Sequence, residues 1–365
     1  VKIIIRADSS FNIGSGHIMR CLTLATELNK RGHNVEFICR DLPGNLIQYI
    51  DHAGFNVYTL PNNNTQNKIK TVYESLSHNW EEDAILTSEI LKDLNAQIVI
   101  LDHYAFDEKW ENEIYQYVHQ ILVIDDLENR KHQCDFLLDQ NFYFTKKNRY
   151  VDLVNQKTTK LFGPSFALLR DEFLLNRKKI EEKSIKNILV YFGASDVTQE
   201  TKKVLKALNN LSSSYELIID VIVGISNREY EELVKEFSAY KHITFYTQTN
   251  DFSSFMKKAD LCIGAGGSTT WERCCIGLPS IVIPVAENQI IPMEELNKAN
   301  AIILMEATHD FKRYEEKIKS VLDMPVRELQ KIRKAGFDIF DGLGVNRVVD
   351  ILEGRGIGNG YSKTL

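Results

Sequence analysis

The chain has 365 residues, 44% of them hydrophobic and 26% charged, with a formal net charge of −6 at pH 7. This is the composition of an ordinary globular protein, with room for two medium domains of about 150 residues each. The acidic balance argues against a nucleic-acid partner, whose binders carry a basic face, and leaves room for a locally basic phosphate pocket.

The elements follow in chain order. The first half offers apolar runs at 2–6 (KIIIR), 35–40 (VEFICR), 98–102 (IVILD), 121–125 (ILVID) and 135–139 (DFLLD). Between the first two, Ile18, Leu22, Leu24, Ala25 and Leu28 make one apolar helix face. Continuous apolar strands separated by helices predict a parallel sheet covered on both sides. The pattern then repeats, with runs at 187–192, 217–223, 243–246, 261–263, 280–283 and 301–304. The expected class is therefore α/β, with two such domains in tandem and a boundary within 160–186. The segment 62–68 (NNNTQNK) reads as a loop, and NRKKIEEKSIK (176–186) as a linker or the end of a charged helix. A helical pattern at 344–352 is expected to cross back to the first domain. The Gly-rich tail 354–365 is expected to be flexible.

No apolar run approaches the roughly 18 residues a membrane helix needs, and the opening VKIIIRAD is too short for a signal-peptide core. The six cysteines (21, 39, 134, 262, 274 and 275) show no CxxC spacing and read as buried small hydrophobes rather than a metal site or disulfide framework. Free thiols suit a reducing cytoplasm, the expected location. No heptad repeat points to a coiled assembly.

Four loops carry candidate chemistry. In ADSSFNIGSGHIMR (7–20), Gly14 and Gly16 permit a tight turn, and His17 stands at a helix start. That is the C-terminal edge of the sheet, where open α/β sheets bind ligands. An imidazole with an ordinary pKa of about 6.5 accepts protons near neutrality, and a helix N-terminus favours its neutral form. His17 is thus a general base, or simply a residue packed at a helix end. In LCIGAGGSTTWERCC (261–275), Gly264, Gly266 and Gly267 lead into Ser268, Thr269 and Thr270, all N-cap types, and Glu272 follows. Backbone amides and hydroxyls here would cradle a diphosphate, and Glu272 would either accept ribose hydroxyls or complement the helix dipole. No Walker lysine follows. In LDHY (101–104), Asp102, His103 and Tyr104 emerge at the same sheet edge as His17, to orient the base, contact a sugar or cap a turn. Asp125 and Asp126 follow the next strand and point to opposite faces. In FGASD (192–196), Gly193 and Ser195 present backbone amides at a strand end, and in VAENQ (285–289), Asn288 and Gln289 could read a base or a sugar. A dinucleotide fingerprint is not met, since Met19 stands where its third glycine would be.

Taken together, RADSSFNIGSGHIMRC, LDHY, FGPSFALLRDEF, FGASD, GAGGSTTWE and DGLGVNRVV resemble the UDP-2,4-diacetamido-2,4,6-trideoxy-β-L-altropyranose hydrolases of pseudaminic acid synthesis. The resemblance covers about residues 1–352, with the G-x-G-H opening its most specific part. It implies a GT-B-type fold, two Rossmann-like domains with parallel sheets facing a central cleft: 1–170 carrying the base and 171–353 binding UDP. It implies that water displaces UDP at the anomeric carbon with inversion. Helix amides that carry the phosphate charge remove the need for a metal, and no cofactor is expected. His17 matches the family's base, Tyr104 a tyrosine near the sugar, and Ser268, Thr269 and Glu272 the UDP-binding loop. Asn288 and Gln289 match sugar or nucleotide contacts, and Arg170 a basic residue at the hinge. The sequence departs from the pattern at FGASDV, where relatives often carry a glycine pair and a proline. The alternatives are a GT-B glycosyltransferase passing the sugar to an acceptor hydroxyl, a non-catalytic nucleotide-sugar sensor and, weakest, a nicotinamide dehydrogenase.

Overall fold

The structure is a computed structural model that describes residues 1–62, 79–144, 149–177, 184–224, 227, 229–247 and 251–355. The expected loop at 62–68 lies outside these residues from 63 on, as do 178–183 of the charged segment and the tail from 356. The chain divides into two compact units. One comprises Val1–Asn141, Thr145–Leu168 and Leu343–Leu365, the other Phe142–Phe144 and Leu169–Gly342.

In the first unit the described strands are β1 (Lys2–Ala7), β2 (Asn34–Arg40), β3 (Val57–Leu60), β4 (Ile98–Asp102), β5 (Gln120–Ile124), β6 (Phe136–Asp139) and β7 (Thr159–Phe162). They form one parallel sheet in the order β3-β2-β1-β4-β5-β6-β7. Successive side chains of a strand point to opposite faces, so β1 feeds two cores. Ile3, Ile5 and Ala7 pack with Leu24 and Leu28 of the helix Gly16–Lys30 on one face. Ile4 packs with Leu91 and Trp110 of the helices Trp80–Leu94 and Glu108–Ile114 on the other. The edge strands β3 (VYTL) and β7 (TKLF) are not among the strands expected from sequence. Partly exposed, they carry no continuous apolar run, the signal on which the other strands were read. The last described helix, Gly344–Leu352, packs Val345, Val348 and Val349 into the core beside Gly16–Lys30. Gly344 permits that approach, because a Cβ there would lie 2.2 Å from the Ala167 carbonyl oxygen.

The ion networks buried in this unit include one centred on Asp83 and one on His132. Arg6 donates to Asp8 (2.5 and 2.9 Å) and to Asp83 (2.7 and 3.2 Å), and Asp83 also accepts from Arg40 (2.6 Å) and the Trp110 indole (3.0 Å). In the other, the His132 Nδ1 sits 2.6 Å from Glu111, and its Nε2 faces Asp125 at 3.7 Å. Burial favours the neutral ring, but Asp125 and Glu111 outweigh it and push His132 up from 6.5 to about 9. A folded pKa raised above the unfolded one gives stability that is full below pH 6.5 and lost as pH rises through about 9. The urea midpoint is therefore expected to fall between pH 6.5 and 9.5, by the equivalent of about 3 kcal/mol. His132→Gln should flatten that slope, and an equally steep decline in the variant would exclude His132 as its source.

The second unit's described strands are β8 (Asn187–Tyr191), β9 (Ile218–Val223), β10 (Ile243–Thr247), β11 (Leu261–Ala265), β12 (Ser280–Ile283) and β13 (Ile303–Leu304). Their order is β10-β9-β8-β11-β12-β13, again all parallel. The run expected at 301–304 pairs only over Ile303–Leu304. In both units the strand order reverses beside the first strand, at β1/β4 and at β8/β11. Loops leaving neighbouring strands diverge at such a point and open a crevice at the C-terminal edge of the sheet. Among the described residues, no helix is long and apolar enough to cross a membrane.

Candidate functional site

The β1/β4 switch point holds the first constellation. After β1 the chain turns on Ser10, whose hydroxyl accepts from the amides of Asn12 and Ile13 while its carbonyl accepts from Gly14. Gly14 has φ +82°, a conformation glycine adopts without strain. The turn delivers Gly16 to the first position of the helix Gly16–Lys30, with His17 next and 6% exposed. The end of β4 meets it: Asp102, fully buried, lies 2.5 Å from the His17 Nδ1. Burial alone would raise the Asp102 carboxyl, but Arg20 and then His17 hold it well below the usual carboxylate range. An ionised carboxylate only accepts, so Nδ1 carries the proton and the neutral ring's lone pair lies on Nε2.

Three further side chains fix this arrangement. Arg20, one helical turn after His17, grips Asp102 through Nε and Nη2, both at 2.6 Å, and its Nη1 lies 3.5 Å from Asp126. Tyr104 donates to Asp126 at 2.6 Å and meets the His17 ring edge-on, centroids 4.6 Å apart. Burial and the Asp126 carboxylate keep the Tyr104 phenol protonated far above its ordinary range. His103 turns to the opposite face, its Nε2 3.3 Å from Asp8 and its ring stacked on Phe106. Sequence reasoning missed Arg20. Its signal was the i, i+3 spacing from His17, which puts both on one helix face.

The β8/β11 switch point holds the second constellation. Gly264, at the end of β11, lies so close to β8 that a Cβ would be 2.3 Å from the Tyr191 oxygen. Gly266 is packed under Met293 and Gln289, while Gly267 is open. The helix Thr269–Ile276 follows. Its start corrects the N-cap expectation: Ser268 stands at the cap position but makes no side-chain cap bond. Thr270 is turned inward, accepting from Arg273 at 2.7 Å. Ser268 is exposed and Thr269 half-buried, so both hydroxyls remain near the uncapped helix start. Arg273, fully buried, ties the loop from below by donating to the Ala265 carbonyl at 2.7 Å.

Arg170 and Glu272 come together, Nη2 to Oε1 at 3.3 Å, and Arg170 also pairs with Glu172 at 2.6 Å. Burial pushes Glu272 up to about 7 against the pull of Arg170, and its Oε2 has no hydrogen-bond partner among the described residues. On the neighbouring strands, Gly193 (φ +86°) and Ser195 follow β8, in a loop whose Asp196 caps the helix Glu200–Leu211 through the amides of Glu200 and Thr201. After β12, the Gln289 Oε1 accepts from the Val285 amide at 2.9 Å, and Asn288 is exposed at the first turn of the helix Glu287–Lys298.

Two Rossmann-type domains, each a parallel sheet whose strand order reverses beside its first strand, define a GT-B-type fold. Residues 166–342 match the glycosyltransferase family 28 C-terminal domain. The chain is 27% identical to the UDP-2,4-diacetamido-2,4,6-trideoxy-beta-L-altropyranose hydrolase of Campylobacter jejuni, over 79% of this chain and 93% of the relative. An uncharacterized protein of Methanocaldococcus jannaschii is 29% identical over 78% of this chain, which spans only 55% of that relative's length. Among solved structures, the UDP-GlcNAc 2-epimerase of Neisseria meningitidis bound to UDP-GlcNAc superposes with a TM-score of 0.67 over 97% of this chain and 100% of that one. At 13% identity that likeness is one of fold. The family resemblance read from the motifs is thus met again over four fifths of the chain.

Proposed function

We propose that this protein hydrolyses a UDP-linked 2,4-diacetamido-2,4,6-trideoxy hexose at its anomeric carbon, with inversion, releasing UDP and the free sugar. The observation that carries the reading is the His17–Asp102 pair, with the imidazole oriented by a buried carboxylate at a switch-point edge. The name of the Campylobacter relative supports the substrate class.

In this reaction His17 Nε2 takes a proton from water as the water oxygen bonds to the anomeric carbon. The carbon–oxygen bond to UDP breaks, and its electron pair leaves with the diphosphate. In the second domain the uncapped start of Thr269–Ile276, with Gly267, Ser268 and Thr269, supplies oriented N–H dipoles for the departing charge. The ribose hydroxyls donate to Glu272, whose Oε2 is otherwise without a partner among the described residues. Asn288 and Gln289 contact the sugar or nucleotide, and Tyr104 the sugar.

The second reading is a glycosyltransferase in which the same base acts on an acceptor hydroxyl, favoured by the family 28 domain match. Incubation with the UDP-diacetamido-trideoxy sugar in heavy-oxygen water, with chelator and no acceptor, separates the two. Hydrolysis at carbon puts the label in the free sugar. Label in UDP means attack at phosphorus, and intact substrate favours the transferase.

A further inference from the structure

We infer that Arg20 is a positioning residue that keeps His17 in its neutral, proton-accepting form by sharing the Asp102 carboxylate with it. This rests on the reading of His17 as the base.

A carboxylate alone beside an imidazole orients the ring, but it also stabilises the imidazolium, and a protonated ring cannot take a proton from water. The structure places a second cation on the same carboxylate. Arg20 bonds both oxygens at 2.6 Å, and its Nη2 lies 3.3 Å from the His17 Nδ1. Asp102 thereby keeps its acceptor for Nδ1–H while most of its charge is answered by a guanidinium that stays protonated. Arg20 and an imidazolium would also be like charges in contact. Burial strengthens both effects, because Asp102 is 0%, His17 6% and Arg20 8% exposed.

Other groups among the described residues also face the ring. On its own helix Cys21 donates from Sγ to Asp102 Oδ2 at 3.4 Å, and burial followed by Asp102 holds that thiol well above its ordinary range. From the loop after β4 comes Tyr104, protonated, and behind it from the loop after β5 comes Asp126, engaged by Tyr104 and Arg20. Asp8 pairs with Arg6 and with His103, which lies on the opposite face from the ring. Among these described groups, Arg20 is the permanent cation that contacts both Asp102 and the ring.

The test is the titration of His17 followed by NMR on the full chain labelled at histidine, its resonance identified by loss in His17→Asn. In Arg20→Met the midpoint is expected to rise by about one pH unit or more. The acid limb of kcat/KM should move up by the same increment. Arg20→Lys retains a cation and should titrate near the wild-type value while losing turnover, because it cannot grip both oxygens. Arg20→Gln, which keeps a neutral donor to Asp102, should raise the midpoint in the same direction. This variant decides the matter should Arg20→Met not fold. An unshifted midpoint in the folded Arg20→Met or Arg20→Gln chain overturns the inference. Shifted midpoints beside normal turnover in His17→Asn would overturn the base reading instead and leave the Arg20 coupling standing.

Discussion

His17→Asn is expected to lower kcat by about two to four powers of ten, the usual share of general acid–base catalysis. The Asn side chain is short and carries an N–H that can still donate to Asp102, so the Arg20–Asp102 pair keeps a neutral neighbour and the domain stays intact. What disappears is the basic lone pair on Nε2. The residues proposed to hold UDP belong to the second domain, on the loop after β11, so UDP affinity measured by calorimetry should stay within a factor of about two. Unchanged kcat would end the assignment of His17 as base. A large loss of UDP affinity alongside lost turnover would mean that His17 contacts the nucleotide.

Asp83→Ala carries the largest expected effect on stability. Asp83 is fully buried and is shared by the Arg6 and Arg40 guanidiniums and the Trp110 indole. Burial alone would raise its carboxyl, and Arg6 foremost among the neighbouring charges holds it low, so it is an anion in the folded chain. Alanine would leave two arginines, 0% and 4% exposed, with Asp8 paired to the Arg6 side chain and, among the described residues, no carboxylate paired to that of Arg40. Removing one partner of a buried ion network costs roughly 3–5 kcal/mol, far more than a surface pair. In a unit of this size that corresponds to a fall of about 10 °C in the first thermal transition. A fall of less than about 3 °C would show that water reaches the vacated site and solvates Arg6.

Much of the fold was legible because the physical signal is local. Ile3–Ile5, Val99–Leu101 and Ile281–Ile283 are strands buried on both faces, and such strands must be apolar at every position. The edge strands Val57–Leu60 and Thr159–Phe162 have one open side, carry no such run and were missed. Gly264 and Gly266 were legible as a glycine-rich turn before a helix, but their close packing against Tyr191, Met293 and Gln289 was not. Ser268, Thr269 and Thr270 looked alike as caps, yet only Thr270 turns inward, toward an arginine one turn along the helix. Arg170 and Glu272, 102 residues apart, meet only through the folding of the second domain.

The sequence by itself determined the α/β class, the two runs of strands and the loops at their C-terminal edges. It also placed His17 at a helix start, because strand and helix periodicity and glycine turns act within a few residues. The tertiary structure alone decided which charges share a carboxylate. Asp102 lies 85 residues from His17, and in the sequence Asp8 just after β1 looks as good a partner as Asp102 at the end of β4. β4 pairs beside β1 in a register that sets Ala7 against Asp102, which brings Asp102 under the helix carrying His17 and Arg20. That adjacency is a property of the sheet order, and it turns one histidine among nine into a candidate base.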